Sequence, residues 1–537
     1  MAGSAETNRG DQAEVVSFLA NPESYPDRPS RIDRIETHGA MVFLAGDRAL
    51  KIKRSVRFPY MDLSTLEKRR VVCAREIEIN RLWAPDIYLD CVPITREHDG
   101  RLALGGSGEP VEWAVEMRRF PQSDVLGSIA EREGISTELA RNLADAAFES
   151  HVKAPRAETR NGAERFATLS ATIARNIAGV SAILGNEVTA LFRMRAGAAH
   201  ARAADVLDER ARRGFVRRCH GDLHLDNVVM WKGRPTLFDA IEFDEDLATI
   251  DTLYDLAFLI MDFDYRGLRP AANVVLNRYL SRSREPLDLD GLVALPLFLG
   301  LRAGVRALVA AERAEQEQAA ESGDGARRHA ERACAYIRAA LSYLDPPPPE
   351  LVAVGGRSGT GKSTLAATLA PDLGPCPGAV HLRSDVERKA LFGVRETDRL
   401  GEEGYTEEAT ARVYGALNSK AKQVLAAGHG VIVDAVFARE NERQQLEAVA
   451  KKAGIALKGL WLTASPATMM ERVAERRNDA SDATVDVVRR QLEYDLGTFS
   501  PAWKVVDADG DAQATAQRAV LALARWPTAA NGSEVMR

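Results

Sequence analysis

An apolar run, LVAV at 351–354, leads into Gly356-Arg-Ser-Gly-Thr-Gly361-Lys362-Ser363 and then into the helical run TLAATLA. Strand, glycine-rich turn and helix form the context that GxxxxGK[ST] requires, and it commits this part of the chain to a parallel α/β sheet. The glycines let successive backbone N–H groups turn inward around phosphates, and the helix N-terminus adds its partial positive charge. Gly356, Ser358, Gly359, Thr360, Gly361 and Thr364 are therefore expected around a bound nucleotide. Lys362 would reach its β- and γ-phosphates, and the Ser363 hydroxyl would bind Mg²⁺.

Residues further along say which kind of phosphate site this is. VIVD, ending at Asp434, reads as a strand closing on an acid that orients Mg²⁺ or its water. HLRSDVER places Asp385 and Arg388 three residues apart, where a second strand should end and a helix begin. Asp385 could accept the proton of an acceptor hydroxyl, with Arg388 holding the acceptor or the transferring group; as plain structure, Asp385 would be a helix N-cap. Arg472, Arg476 and Arg477 share one helical stretch ahead of NDASDAT, which suits a lid closing over phosphates. With GRSGTGKST, SDVxR, VIVDAVF and ERRxxxASDA in place, 351–530 resembles the small P-loop kinases related to gluconate kinase, zeta toxin and polynucleotide 5′-kinase. The second catalytic glutamate of motor and AAA ATPases is not evident after Asp434.

A domain boundary is written ahead of this segment. LDPPPPE, 344–350, can neither continue a helix nor join a central strand, and four prolines make a spacer of roughly 12 Å. This places a P-loop domain at 350–537, a linker at 346–349, one domain at 31–345 and an extension at 1–30. Within 31–345, short β-type runs (AMVFLA, ALKIK, VEWAVEMRRF) and one helix near 66–82 fill 31–120. Helical spacing dominates 121–345, interrupted by the strand-like FVRRCHGD and PTLFDAIEF.

HGDLHLDN carries Asp222 and, five residues on, Asn227; the strand TLFD then brings Asp239. Phosphoryl transfer needs a carboxylate to deprotonate the acceptor and oxygen ligands for Mg²⁺, and an acid and amide on one loop beside a second acid supply that set. In ALKIK, Lys51 and Lys53 share a strand face; one should pair with ATP phosphates, Lys51 by preference, with Glu76 on the next helix to fix it. The only glycine available for a phosphate-covering loop is in THGAMVF, and Glu116-Met117-Arg118 is where an adenine-binding hinge should fall. This region, about 35–310, resembles the aminoglycoside phosphotransferase family of the protein-kinase-like fold, which includes choline and homoserine kinases. The resemblance implies that Asp222 is the catalytic base and that Asn227 and Asp239 bind metal. Asp251-Thr-Leu-Tyr-Asp255 lies twelve residues beyond Asp239, farther than in the commoner form, so Glu242 or Asp244 could share or take the metal role.

Other features bound the reading. The chain of 537 residues has a net charge of −6, which gives no reason to expect a nucleic-acid-coating protein. Five scattered cysteines argue against a disulfide framework or a zinc site, and place the protein in the cytosol. No run of about 18 apolar residues marks a membrane span, and MAGSAETNRGDQAEVV is not a secretory signal. The expected fold is thus α/β and α+β: a bilobal protein-kinase-like domain followed by a P-loop domain with a parallel sheet. Two Mg²⁺-ATP sites would each phosphorylate a hydroxyl of a small metabolite. One rival makes the N-terminal domain a degenerate sensor; another makes the C-terminal domain a polynucleotide 5′-hydroxyl kinase, although no aromatics interleave its arginines. Asp226, Glu242, Asp244, Glu245, Asp246 and Asp251, close to Asp222, would favour a cationic acceptor if they face the cleft.

Overall fold

The structure, a computed structural model, describes residues 12–37, 39–58, 61–319, 323–475 and 480–526. Two compact units emerge: Met1–Arg160 with Arg210–Asp262, and Asn161–Glu209 with Phe263–Arg537. The division does not fall at the prolines. Helices that precede the spacer, Arg269–Ser283 and Pro286–Asp290, pack inside the second unit against the P-loop segment.

The first unit is built on a six-stranded antiparallel sheet in the order 32–36, 40–45, 48–53, 109–118, 88–96, 102–104. Alternation sorts the strand Arg48–Lys53 between two layers. Leu50 and Ile52 pack with Val15, Leu19 and Tyr25 on one face, while Ala49 lies with Cys73, Ile77 and Tyr88 on the other. Helix Leu66–Asn80 begins at Thr65, whose hydroxyl accepts the Lys68 amide. A buried polar network fixes it: Arg69 Nε donates to both oxygens of Glu112 at 2.9 Å, and Gln12 Nε2 donates to Glu112 at 2.6 Å and to the Lys53 carbonyl at 2.8 Å. The segment counted as an extension thus braces the strand and helix that carry Lys51 and Glu76. Glu116, in the expected hinge, pairs across the sheet with Arg48 at 3.0 Å.

The second unit joins helices Gly162–Gly179, Leu295–Ala319 and Gly323–Leu344, and the helix Asn186–Arg212 up to Glu209, to a five-stranded parallel sheet. Its order is 380–383, 431–434, 351–356, 457–463, 503–507. The central strand Leu351–Gly356 is buried throughout, as a strand covered on both faces must be, and its core includes Val352, Val354, Ile432, Leu460 and Leu462. Register sets Val354 opposite Asp434 and Arg383 opposite Asp434, so Gly356, Arg383 and Asp434 gather at the carboxyl ends of the strands, where open α/β sheets bind ligands. The stretch Pro286–Ala319 is long and apolar enough to cross a membrane, but 67% of its most apolar window is buried in this fold.

Just ahead of the strand Val431–Asp434, His429 is buried and donates through Nε2 to the Gly378 carbonyl at 2.9 Å. Burial lowers its pKa to about 4. The unfolded chain, with an ordinary histidine, then binds more protons than the folded chain between about pH 6.5 and 4. Stability from this group is fully present above that window and falls with pH through it, by on the order of 3 kcal/mol. His429→Gln should therefore flatten the acid limb of a plot of Tm against pH; an unchanged limb would contradict this.

Candidate functional site

In the first unit, five expected residues converge. Lys51 Nζ lies 2.9 Å from Glu76 Oε1 and 2.5 Å from Asp239 Oδ1. Burial opposes the Lys51 charge, but Asp239, Glu76 and Glu242 together hold its pKa well above the ordinary value. Burial likewise works against ionised Asp239, and Lys51 more than offsets it, so this carboxylate stays below its usual range. Its side chain is 41% exposed, leaving oxygen open to a ligand. Lys53 shares Glu76, at 2.6 Å, and also pairs with the buried Glu242. The two lysines therefore divide the work: Lys51 meets the exposed acid, and Lys53 ties Glu242, three residues beyond Asp239, to the sheet.

The loop bearing Asp222 is held from beneath. Asp255 accepts the amides of His220 at 3.2 Å and Gly221 at 2.9 Å, and Asp262 accepts that of Leu225 at 3.0 Å. Both acids lie on helix Thr252–Tyr265, seven residues apart on one face. Gly221 has φ +84°, and a Cβ there would meet Ile241 at 2.9 Å, so the turn before Asp222 requires glycine. Asn227 Nδ2 donates to the Asp222 carbonyl and to its Oδ2, both at 2.9 Å, while His224 Nε2 sits 3.3 Å from Oδ2. The Asn227 side-chain oxygen and the Asp239 carboxylate are hard donors of the kind Mg²⁺ prefers. His151 is buried 3.1 Å from Asp255. Together with Cys219 these residues place three ligand-type atoms within 4.8 Å, but Asp255 is already committed to the loop amides, which makes the cluster a brace.

The acidic surroundings are less available than their spacing suggests. Glu242 pairs with Lys53, Asp244 caps Glu245–Ala248, Glu245 pairs with Arg75 at 2.8 Å, and Asp251 forms a buried two-point contact with Arg210 at 2.8 Å. Four of the six acids near Asp222 are thus engaged by lysine, arginine or backbone amides.

In the second unit, Gly361 caps helix Lys362–Leu369, and the loop before it is packed too closely for side chains. A Cβ on Gly356 would lie 2.7 Å from the Leu462 carbonyl oxygen, and one on Gly359 would lie 2.3 Å from that of Met469. Ser363 Oγ donates to Asp434 Oδ2 at 2.5 Å, bringing together both expected metal ligands. Lys362 Nζ donates to the Arg357 carbonyl at 2.9 Å at the mouth of the loop. Burial opposes the charge on Asp434, yet His381, Arg383 and Lys362 around it lower its pKa to about 2. Burial and the Asp434 charge push Asp385 upward instead. One acid held ionised beside one poised to take a proton is the division that general-base chemistry uses.

Other expected residues are engaged elsewhere. The Ser358 amide donates to Gln491 Oε1 at 2.7 Å, and the Thr360 hydroxyl to the Arg357 carbonyl at 2.8 Å. Thr364 is exposed. Arg472 is committed to the carbonyls of Ala508 at 3.1 Å and Gly510 at 2.5 Å, so it stitches the loop rim. Arg388 is buried, donates to the Gly404 carbonyl at 2.6 Å and stacks over Tyr405 at 4.9 Å. Arg476, like Arg477, lies outside the described residues. Sequence reasoning missed Gln491, whose amide is buried against the loop, and Lys389, which pairs with Asp482 at 2.6 Å.

Comparison with known proteins matches two segments of the chain. Residues 70–290 match the model of the phosphotransferase enzyme family, and residues 351–501 match that of an AAA domain. Uncharacterized proteins of Mycobacterium tuberculosis (strain H37Rv) and Mycobacterium bovis are each 28% identical over 485 residues, covering 87% of this chain and 91% of their own. Among solved structures, a gluconokinase from Sinorhizobium meliloti is 21% identical with TM-score 0.26, over 33% of this chain and 94% of its own. A choline/ethanolamine kinase family protein from Mesorhizobium loti is 15% identical with TM-score 0.36, over 62% and 98%. The GDP complex of aminoglycoside 2′-phosphotransferase-IIIa is 14% identical with TM-score 0.38, over 61% and 99%. The family matches imply ATP with a divalent metal and support a phosphotransferase: the chain carries a phosphotransferase-family domain over residues 70–290 and a P-loop domain over residues 351–501.

Proposed function

We propose that the protein is a cytosolic ATP-dependent phosphotransferase with two Mg²⁺-ATP sites, each moving the γ-phosphoryl group to a hydroxyl of a small metabolite. The observation that carries this reading is the joint presence, in one unit, of Lys51 paired with Glu76 and Asp239 and of Asp222 oriented by Asn227. A domain that only senses a ligand needs no oriented proton acceptor. In the transfer, the acceptor oxygen bonds to phosphorus as the bond to the bridging oxygen of ADP breaks, and the hydroxyl proton passes to Asp222 or, at the P-loop, to Asp385. When bound, a divalent ion would neutralise charge building on the phosphates; Asn227 and Asp239 would hold it at one site, and Ser363 and Asp434 at the other.

The test is an ADP-release screen of hydroxylated metabolites on the full chain and on Asp222→Asn and Lys362→Ala variants. Two acceptor activities, each removed by one substitution, are expected. A single activity insensitive to Asp222→Asn would favour the sensor reading of the first site. Turnover only on 5′-hydroxyl oligonucleotides, abolished by Lys362→Ala, would favour a polynucleotide kinase at the second.

A further inference from the structure

Asp434 is flanked by two groups from one neighbouring strand. His381 Nε2 and Arg383 Nε each lie 3.6 Å from its Oδ2, and both residues belong to Val380–Arg383, the outermost strand of the parallel sheet. An edge strand presents backbone groups that need partners. Here helix Arg269–Ser283 supplies them from the far side of the proline spacer. Asn273 and Asn277 donate to the Ala379 carbonyl at 3.1 and 3.2 Å, and Asn277 Oδ1 accepts the His381 amide at 2.7 Å.

The next residue continues the link in charge. Arg278 Nη1 lies 3.0 Å from Glu396 Oε2, Glu396 Oε1 lies 3.9 Å from Arg383 Nη1, and Arg383 reaches Asp434. Four charges alternate in sign from that helix to the acid that holds Ser363. Side-chain exposure is 25% and 33% for the outer pair but 17% and 5% for Arg383 and Asp434, so solvent screens the inner step least. Gln423 adds a second tether, donating at 2.8 Å to both the Pro286 carbonyl and Asp290.

We infer that Asn277 and Arg278, residues of the phosphotransferase-matched segment, are positioning residues of the P-loop site. This rests on the reading of that site as a Mg²⁺-nucleotide site. Asn277 pins the backbone at His381. Arg278 shares the Glu396 carboxylate with Arg383. Arg278 fixes the Glu396 carboxylate, and Glu396 in turn steadies Arg383 beside Asp434, so loss of either link frees Arg383 and loosens the geometry around Ser363. The P-loop segment is then incomplete without the helix that precedes the prolines.

The experiment is calorimetric titration of the full chain with Mg²⁺-ADP, where the component lost in Lys362→Ala belongs to the P-loop. Arg278→Ala should weaken that component about fivefold and leave the other unchanged, whereas Arg278→Lys retains most of the affinity. Glu396→Gln, a near-isosteric change, breaks the same link and keeps the test available should Arg278→Ala fail to fold. The double variant should shift Kd no further than either single one, because one chain is broken in both. A helix that merely stabilises the fold would lower Tm without moving Kd, and that result overturns the inference, as do additive effects. If the wild-type chain shows no Lys362-dependent component, the P-loop reading itself fails and takes the inference with it.

Discussion

Replacing Lys362 by alanine in the full-length chain is expected to lower turnover at the P-loop site by roughly a hundredfold to a thousandfold, the cost of removing a preorganised donor from developing charge. Lys362 opens the helix that follows the glycine loop, and its ammonium is held at the loop mouth by the Arg357 carbonyl at 2.9 Å. It is also among the charges that favour ionised Asp434 and Asp385. Its loss therefore removes the side-chain partner of the β- and γ-phosphates and unbalances the two acids beside them. The packing around Gly356 and Gly359 is untouched, so the fold should survive. Measurement belongs in an Asp222→Asn background, where ADP release by the first unit is suppressed. Wild-type release in that double variant, with circular dichroism unchanged, would sink the P-loop assignment.

Both sites were legible where their chemistry is contiguous. GRSGTGKS and HGDLHLDN each compress a loop, its glycines and its reactive groups into eight residues, and local sterics then determine the shape. The strand-helix alternation around them was legible for the same reason, through period and buried runs. Long-range partners were not. The pairing of Lys53 with Glu242 spans 189 residues, that of the Ser358 amide with Gln491 spans 133, and that of Asn277 with the His381 amide spans 104. No local rule says that an exposed-looking asparagine will satisfy a sheet edge, or that a glutamine will close over a phosphate loop. The prolines were read correctly as a stop to helix and strand, but they say nothing about which surfaces pack after the chain turns. Asp255 and Asp262 sit between these cases: acids seven residues apart on one face of a largely apolar helix are a visible anomaly, and their burial turns them into anchors for the Asp222 loop.

Asp222→Asn should reduce transfer at the first site by roughly a hundredfold to ten-thousandfold, the range that a positioned general base contributes. The substitution conserves shape, and the contact from Asn227 Nδ2 at 2.9 Å can persist to an amide oxygen. Asp255 and Asp262 hold the loop through backbone amides, which the change does not touch. What disappears is the ability to take the acceptor proton. Nucleotide binding rests on other groups, Lys51 with Glu76 and Asp239, so the Kd for Mg²⁺-ADP should stay near the wild-type value. The contrasting variant is Asp239→Asn. It removes the negative charge that meets Lys51 and that would hold the metal, and should weaken nucleotide binding as well as transfer. Both are measured in a Lys362→Ala background, with ADP release for transfer and calorimetry for affinity. If Asp222→Asn loses nucleotide affinity in step with rate, Asp222 acts on the metal and not on the acceptor. If transfer survives within a few-fold, another group takes the proton, and the role assigned to this carboxylate is wrong.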